Sequence, residues 1–237
     1  MNETIDLMLA HTSVRRFTDE AMDKKELEMI ISAGRAASSW KNFQSYSIIV
    51  VQSAAKKQAL YDLVPQPALL QAQAILVFVG DHNRSSKAAQ LYGSSFDARG
   101  PENLLISSVD ASLAGQNALL AAESLGYGGV FIGMIRHRSV EVADLFNLPD
   151  YTYPLFCIAI GRPAQNHPVK PRIDSQHIVF YEEYVEQDSD VIEAYDQVQS
   201  DYAGNRQTEK WSERILGQFG QAEQEETKKL LEKHKLL

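Results

Sequence analysis

The chain has one cysteine in 237 residues, Cys157. No internal disulfide is possible, and a reducing cytoplasm is the expected home. Cys157 lies inside the apolar run "LFCIAIG" and reads as a small buried hydrophobe rather than a nucleophile. The six histidines, at 11, 82, 137, 167, 177 and 234, have no metal-ligand spacing, and neither H-E-x-x-H nor C-x-x-C occurs, so no metal is expected. No uninterrupted run of about 18 apolar residues is present, which argues against a membrane span. The start, "MNETIDLMLAHTSVRRF", lacks the basic-then-apolar order of a signal peptide. Positive charge is scarce: 23 Lys and Arg face 31 Asp and Glu, for a net charge of −8 and a pI near 5.3. That balance argues against a nucleic-acid partner, which requires a basic face. The phosphate-cradling G-x-x-x-x-G-K-[ST] is missing, and the glycines at 126, 128, 129 and 133 do not fit G-x-G-x-x-G. Any nucleotide bound here must be held by side-chain cations.

What is present is enough for one globular domain with a sizeable core: 44% of the residues are hydrophobic. Residues 3–10 read as a short helix. "DKKELEMIISAGRAA" (23–37) is an amphipathic helix with Asp23 as its N-cap and Leu27, Ile30, Ile31 and Gly34 on one face. The β-branched run 45–53 and the apolar runs 74–81 and 153–161 predict strands, as does "GGVFIG" (128–133). Residues 55–64 and 140–148 read as helices. The stretch from 103 to about 126 is apolar or small on most sides, which predicts a helix buried against its own sheet and a second subunit. Three prolines make 162–174 an extended loop. From about 187 the chain reads as polar helix, and "EQEETKKLLEKHKLL" carries acid early and base late, as the helix dipole favours. The expected organisation is a single domain over 1–237 with a helical C-terminal extension from about 186.

Four stretches carry chemistry. In "HTSVRRF" (11–17), His11, Ser13 and Arg15 alternate, which in an extended segment puts them on one side. In "VKPRI", Lys170 and Arg172 alternate in a proline-stiffened loop. Two such segments closing on a phosphate from two directions would exploit the arginine fork and the lysine point charge; each also reads as a solvated patch or a local salt bridge. "AASSWKNFQSYS" (36–47) offers Ser39, Asn42 and Gln44 to a planar hydrogen-bonding ring, or is simply a helix-to-strand turn. "GGVFIG" lets backbone come close to a ligand, or is a tight strand after a helix cap.

Taken in order, these residues resemble the flavin-dependent nitroreductase superfamily, in particular its oxygen-insensitive NADPH nitroreductases and NADPH–flavin oxidoreductases. The resemblance rests on "HTSVRRFTDE", "RAASSWKNFQ", Gln66 in "LVPQP", "VFVGDHNR", "LAGQNALLAAESLG", "GYGGVFIG", Tyr153–Phe156, "IGRPAQNHPVKPR", and Tyr202 and Arg206 before Trp211. It covers nearly the whole chain. It implies an α+β fold, with a central, mainly antiparallel sheet flanked by helices, in an intertwined homodimer with each flavin at the subunit interface. It implies FMN, with His11, Ser13, Arg15, Lys170 and Arg172 dividing between the phosphate and the pyrimidine edge of the ring. Ser39, Asn42 and Gln66 match the flavin-contacting region, and Phe131, Ile132, Gly133 and Met134 the backbone beside its reactive edge. Arg206 matches an arginine that helps hold NADPH. Thr12 stands where the family often has arginine, and the segment between Arg206 and Trp211 is shorter than usual. The implied activity is ping-pong two-electron transfer from NADPH or NADH to nitroaromatics, quinones or free flavin, with no catalytic side chain. A dedicated FMN reductase, a non-catalytic flavin carrier or sensor, and an unrelated anion-binding module are the alternatives.

Overall fold

The computed structural model describes residues 2–219 and 225–237, which form two compact units: residues up to His167 together with the C-terminal helix, and residues 168–219. The first unit is built on strands β1 (Tyr46–Val51), β2 (Ala74–Asp81), β3 (Gly128–Ile132) and β4 (Thr152–Gly161), in the order β1-β2-β4-β3 and antiparallel throughout. The α+β class and the antiparallel sheet are as the resemblance implies.

Alternation along β2 divides the core in two. Ala74, Leu76 and Phe78 face one cluster with Leu27, Ile30 and the small residues of a long helix. Ile75, Val77 and Val79 face the other, with Leu60, Leu69, Val142 and Cys157. Both central strands are buried along their whole length, which is why they read as unbroken apolar runs.

Helices α1 (Glu3–Leu9) and α2 (Lys24–Arg35) precede the sheet, and the Asp23 side chain caps α2 by accepting from the amides of Lys25 and Glu26. After β1 come α3 (Ala54–Leu63) and the short α4 (Pro67–Gln71); α5 (Asn83–Leu91) follows β2. The sequence reading did not anticipate α4 or α5. The core helix is α6, Pro101–Ser124, with Ala111, Ala114, Ala118 and Ala122 fully buried. By length and composition α6 is apolar enough to cross a membrane, although the sequence shows no uninterrupted apolar run. Asp110, only 1% exposed, lies in its middle and is hydrogen-bonded within the domain, which marks α6 as a core helix.

A 3-10 turn, Gly133–Arg138, leads from β3 into α7 (Ser139–Leu145). At the far end α10 (Glu225–Lys233) buries Leu230 and Leu231 within the first unit, Leu236 just after it is buried too, and His234 Nδ1 meets the Thr152 carbonyl at 2.7 Å. The chain end is therefore core rather than an entirely polar extension; residues 223 and 224 of its quoted stretch lie outside the described residues. The second unit holds α8 (Ser189–Ala203) and α9 (Trp211–Phe219), locked where Asp196 accepts from the Ser212 amide and hydroxyl.

Cys157 is fully buried, and burial pushes its thiol up to about 12. A thiol so rarely ionised is a poor nucleophile. The native protein is expected to show no reaction with a disulfide thiol reagent, and one equivalent once unfolded; rapid native labelling would place the thiol elsewhere.

Candidate functional site

A cavity of about 640 Å³ opens where the N-terminal segment, the start of α4 and the end of β3 meet. That volume lies in the range of cofactor pockets. Its lining brings together six of the expected residues: Arg15, Gln66, Phe131, Ile132, Gly133 and Met134. It also adds Arg16, Pro67, Ala68, Gln71 and Val130, which the sequence reading did not select.

Local packing explains why both arginines face it. The segment 14–18 runs along the sheet edge: the Val14 amide donates to the Gly129 carbonyl, the Thr18 amide to Arg162, and the Ala164 amide to the Arg16 carbonyl. Val14 and Phe17 are the buried positions, and they are three residues apart instead of two. Strict alternation breaks, so Arg15 and Arg16 both stay outside. Gly128 permits this docking, since a Cβ there would lie 2.5 Å from Val14 Cγ2. Arg15 donates one long bond, 3.4 Å, to the Ser13 carbonyl. The Arg16 guanidinium has no protein partner among the described residues. In a chain of net charge −8, two adjacent arginines left so lightly paired could hold an anion.

His11 does not line the cavity. Its Nδ1–H donates to Glu123 Oε1 on α6 at 2.6 Å, in a part-buried pair; a carboxylate only accepts, so Nδ1 must carry the proton and Nε2 is left over. The expected common face of His11, Ser13 and Arg15 is therefore not formed in this structure. On the opposite wall, Gln66 Nε2 lies 3.1 Å from Met134 Sδ, tying α4 to the turn after β3. The lining contains no acid, histidine, cysteine or hydroxyl.

Ser39 and Asn42 belong to a different stretch of the same unit and do not line the cavity. Ser39 Oγ accepts from the Gln44 amide, and Lys41, Asn42 and Gln44 all have positive φ. This loop is pinned by Asp110 of α6, whose two carboxylate oxygens accept from the amides of Trp40 at 2.9 Å and Ser45 at 3.0 Å.

In the second unit, Lys170 and Arg172 lie on a proline-rich segment held by α8. Tyr202 donates its hydroxyl to the Pro168 carbonyl at 3.0 Å and Tyr195 to that of Pro171 at 2.9 Å. Tyrosines seven apart on a helix face were the available signal for this anchoring. Arg172 Nη1 reaches the Lys170 carbonyl at 3.3 Å. Arg206 caps the end of α8, donating Nε to the Ala203 carbonyl and Nη2 to that of Tyr202, both at 3.1 Å. With Lys210 it borders a small cavity of about 160 Å³.

An antiparallel sheet covered by helices on both faces, with a cationic N-terminal segment opposite a glycine turn at a strand end, defines a class of ligand-binding α+β domain. The chain belongs to the nitroreductase family: that family's model matches residues 8–162, and the model of the nitroreductase family C-terminal domain matches residues 170–237. It is 38% identical over 223 residues to the oxygen-insensitive NADPH nitroreductase of Salmonella typhimurium, covering 91% of this chain and 90% of that one. It is 35% identical over 242 residues to the FMN reductase [NAD(P)H] of Bacillus subtilis, covering 98% and 97%. The solved structure of the NADPH:FMN oxidoreductase from Vibrio harveyi complexed with NAD+ superposes with a TM-score of 0.91 at 34% identity, over 99% of each chain.

Proposed function

We propose that the protein is an FMN-dependent NAD(P)H oxidoreductase that delivers two electrons to a small electron-poor acceptor: a nitroaromatic, a quinone or free flavin. The observation that carries this reading is the cavity itself. Two lightly paired arginines offer an anion site, and Val130 to Ile132 offer an apolar wall that Gly133 and Met134 continue past the strand end. These residues fit a flavin mononucleotide, which carries one phosphate and one large planar ring. The bound FMN supplies the two-electron chemistry that none of the lining side chains provides.

The chain's own residues bind and orient. Arg15, with Arg16 beside it, would take the phosphate or the polar edge of the ring. Gln66 hydrogen-bonds the ring edge. The Phe131–Met134 backbone would border the ring. Positive charge at the cavity also favours any gain of negative charge inside it. Arg206 contributes to NADPH binding and tilts the preference away from NADH; to do so it must share or leave the carbonyls of α8.

The working unit is a homodimer. Leu105, Val109 and Leu113, four residues apart on α6, are 60%, 53% and 44% exposed. A second copy covering that row accounts for an apolar helix left open on one side. Ser39 and Asn42 are then contributed to the flavin across the interface. The cytoplasm fits a chain whose one thiol is buried and unpaired.

The test is the visible absorption spectrum of the purified, FMN-supplemented protein, before and after NADPH is added without oxygen. A flavin spectrum that bleaches is expected. A protein that takes up no FMN sinks the cation assignment, and one that binds FMN but bleaches with neither NADPH nor NADH is a carrier.

A further inference from the structure

Arg136 is an exposed residue outside the cavity lining, yet its guanidinium touches one of the lining residues, Gly133. A Cβ built on Gly133 would lie 2.8 Å from Arg136 Nη1, 3.1 Å from Nη2 and 3.3 Å from Cζ. The guanidinium therefore lies against the bare Cα of the glycine that lines the cavity. Arg136 Nη1 also donates to the Leu155 carbonyl on β4 at 2.7 Å. From the other side, the Arg136 carbonyl accepts from Thr227 Oγ1 of α10 at 3.2 Å, and Ser139 Oγ donates to the Glu226 carbonyl at 2.7 Å. The Gly133–Arg138 turn is thus clamped between the central sheet and the last helix of the chain.

We infer that Arg136 is a positioning residue for the flavin: lodged against Gly133 and bonded to Leu155, it fixes the Gly133–Met134 backbone at the cofactor's edge and sets a positive charge behind it. The inference rests on the FMN reading of the cavity. Two physical effects follow. The fork, bonded to Leu155 and packed on Gly133, restrains the Gly133 backbone, and a fixed donor stabilises charge that develops next to it without reorganising. The guanidinium also favours the more negative redox state of whatever lies on the other side of the glycine. Lysine would not reproduce a planar group stacked on a Cα.

The experiment measures the midpoint potential of FMN bound to wild type, Arg136→Met and Gly133→Ala by anaerobic dye equilibration. Gly133→Ala is the second approach to the same contact, because its methyl displaces only the flexible end of Arg136. Both variants are expected to lower the potential, with at least a tenfold loss in preference for the two-electron-reduced form, or about 30 mV. The double variant is expected to match the single ones, since each removes one shared contact. If both potentials equal the wild-type value while melting temperatures fall, Arg136 is structural only and the inference is overturned. FMN uptake by the wild type is measured first: a wild type that binds none defeats the flavin reading, which is a different result from an unmoved potential.

Discussion

Arg15→Ala is expected to bind FMN about 10- to 100-fold more weakly than wild type. A hydrogen bond to a charged group is worth about 1.5–3 kcal/mol, and each 1.4 kcal/mol is tenfold in affinity. Arg15 is the residue for which the full value is expected. It lines the cavity, and among the described residues its one side-chain bond is the 3.4 Å contact to Ser13, so an arriving anion displaces almost nothing. Removing it also leaves no buried protein group unpaired, so stability is expected to hold while affinity falls. Flavin fluorescence titration of the apoprotein reads the first and thermal melting the second. Arg16→Ala is expected to weaken binding as well, and the double variant more than either single one. Raising the salt concentration is expected to weaken the wild type more than the double variant, because exposed charges are screened. Arg15→Ala purified with a full flavin complement would place the phosphate elsewhere.

The difference between Arg15 and Arg16 shows what could be read from the sequence alone. The strands were legible because β-branched runs between turn residues leave few alternatives, and α2 because Asp23 precedes a helical apolar face. The helix at 101–124 was legible from its small and apolar residues. Its role as the anchor of a loop was not, since the Asp110 partners, Trp40 and Ser45, are 70 and 65 positions away. At the site, the cluster "HTSVRRF" and the strand-end "GGVFIG" were visible as ingredients. Alternation then misassigned the geometry. It put His11 beside Arg15, whereas Glu123 engages His11 and the three-residue spacing of Val14 and Phe17 turns Arg16 outward instead. Helix α4 was hidden because five residues beginning at a proline carry too little periodicity. The return of the chain end was hidden by composition: half of "KKLLEKHKLL" is charged, yet Leu230 and Leu236 are fully buried. Each failure is one of tertiary partnership, which local pattern does not encode.

Asp110→Ala is expected to produce the largest loss of stability, about 3–6 kcal/mol, since the carboxylate accepts two hydrogen bonds and a hydrogen bond to a charged group is worth about 1.5–3 kcal/mol. The carboxylate is 1% exposed and holds two backbone amides, one at each end of the 40–45 loop. Alanine leaves both without their acceptor, and a buried amide without a partner costs about 1–3 kcal/mol. The loop also stores strain. Lys41, Asn42 and Gln44 have φ of 48°, 59° and 54°, a region unfavourable to residues with a Cβ by about 1–3 kcal/mol each. External tethers keep such a backbone in place: Asp110 holds its two ends, and Arg84 Nη2 donates to the Gln44 carbonyl at 2.7 Å. Asp110→Asn is expected to be milder: it keeps one acceptor but turns an NH2 group toward the second amide. Urea denaturation gives the stability, and hydrogen exchange at the Trp40 and Ser45 amides gives the local effect, which is expected to exceed that in the rest of β1. The functional consequence separates two pictures of the site. If Ser39 and Asn42 reach the flavin across a dimer interface, Asp110→Asn, still folded, is expected to lose FMN affinity although residue 110 does not line the cavity. If affinity is unchanged while the loop amides exchange freely, the loop is a structural turn and the flavin is held by the cavity of one chain.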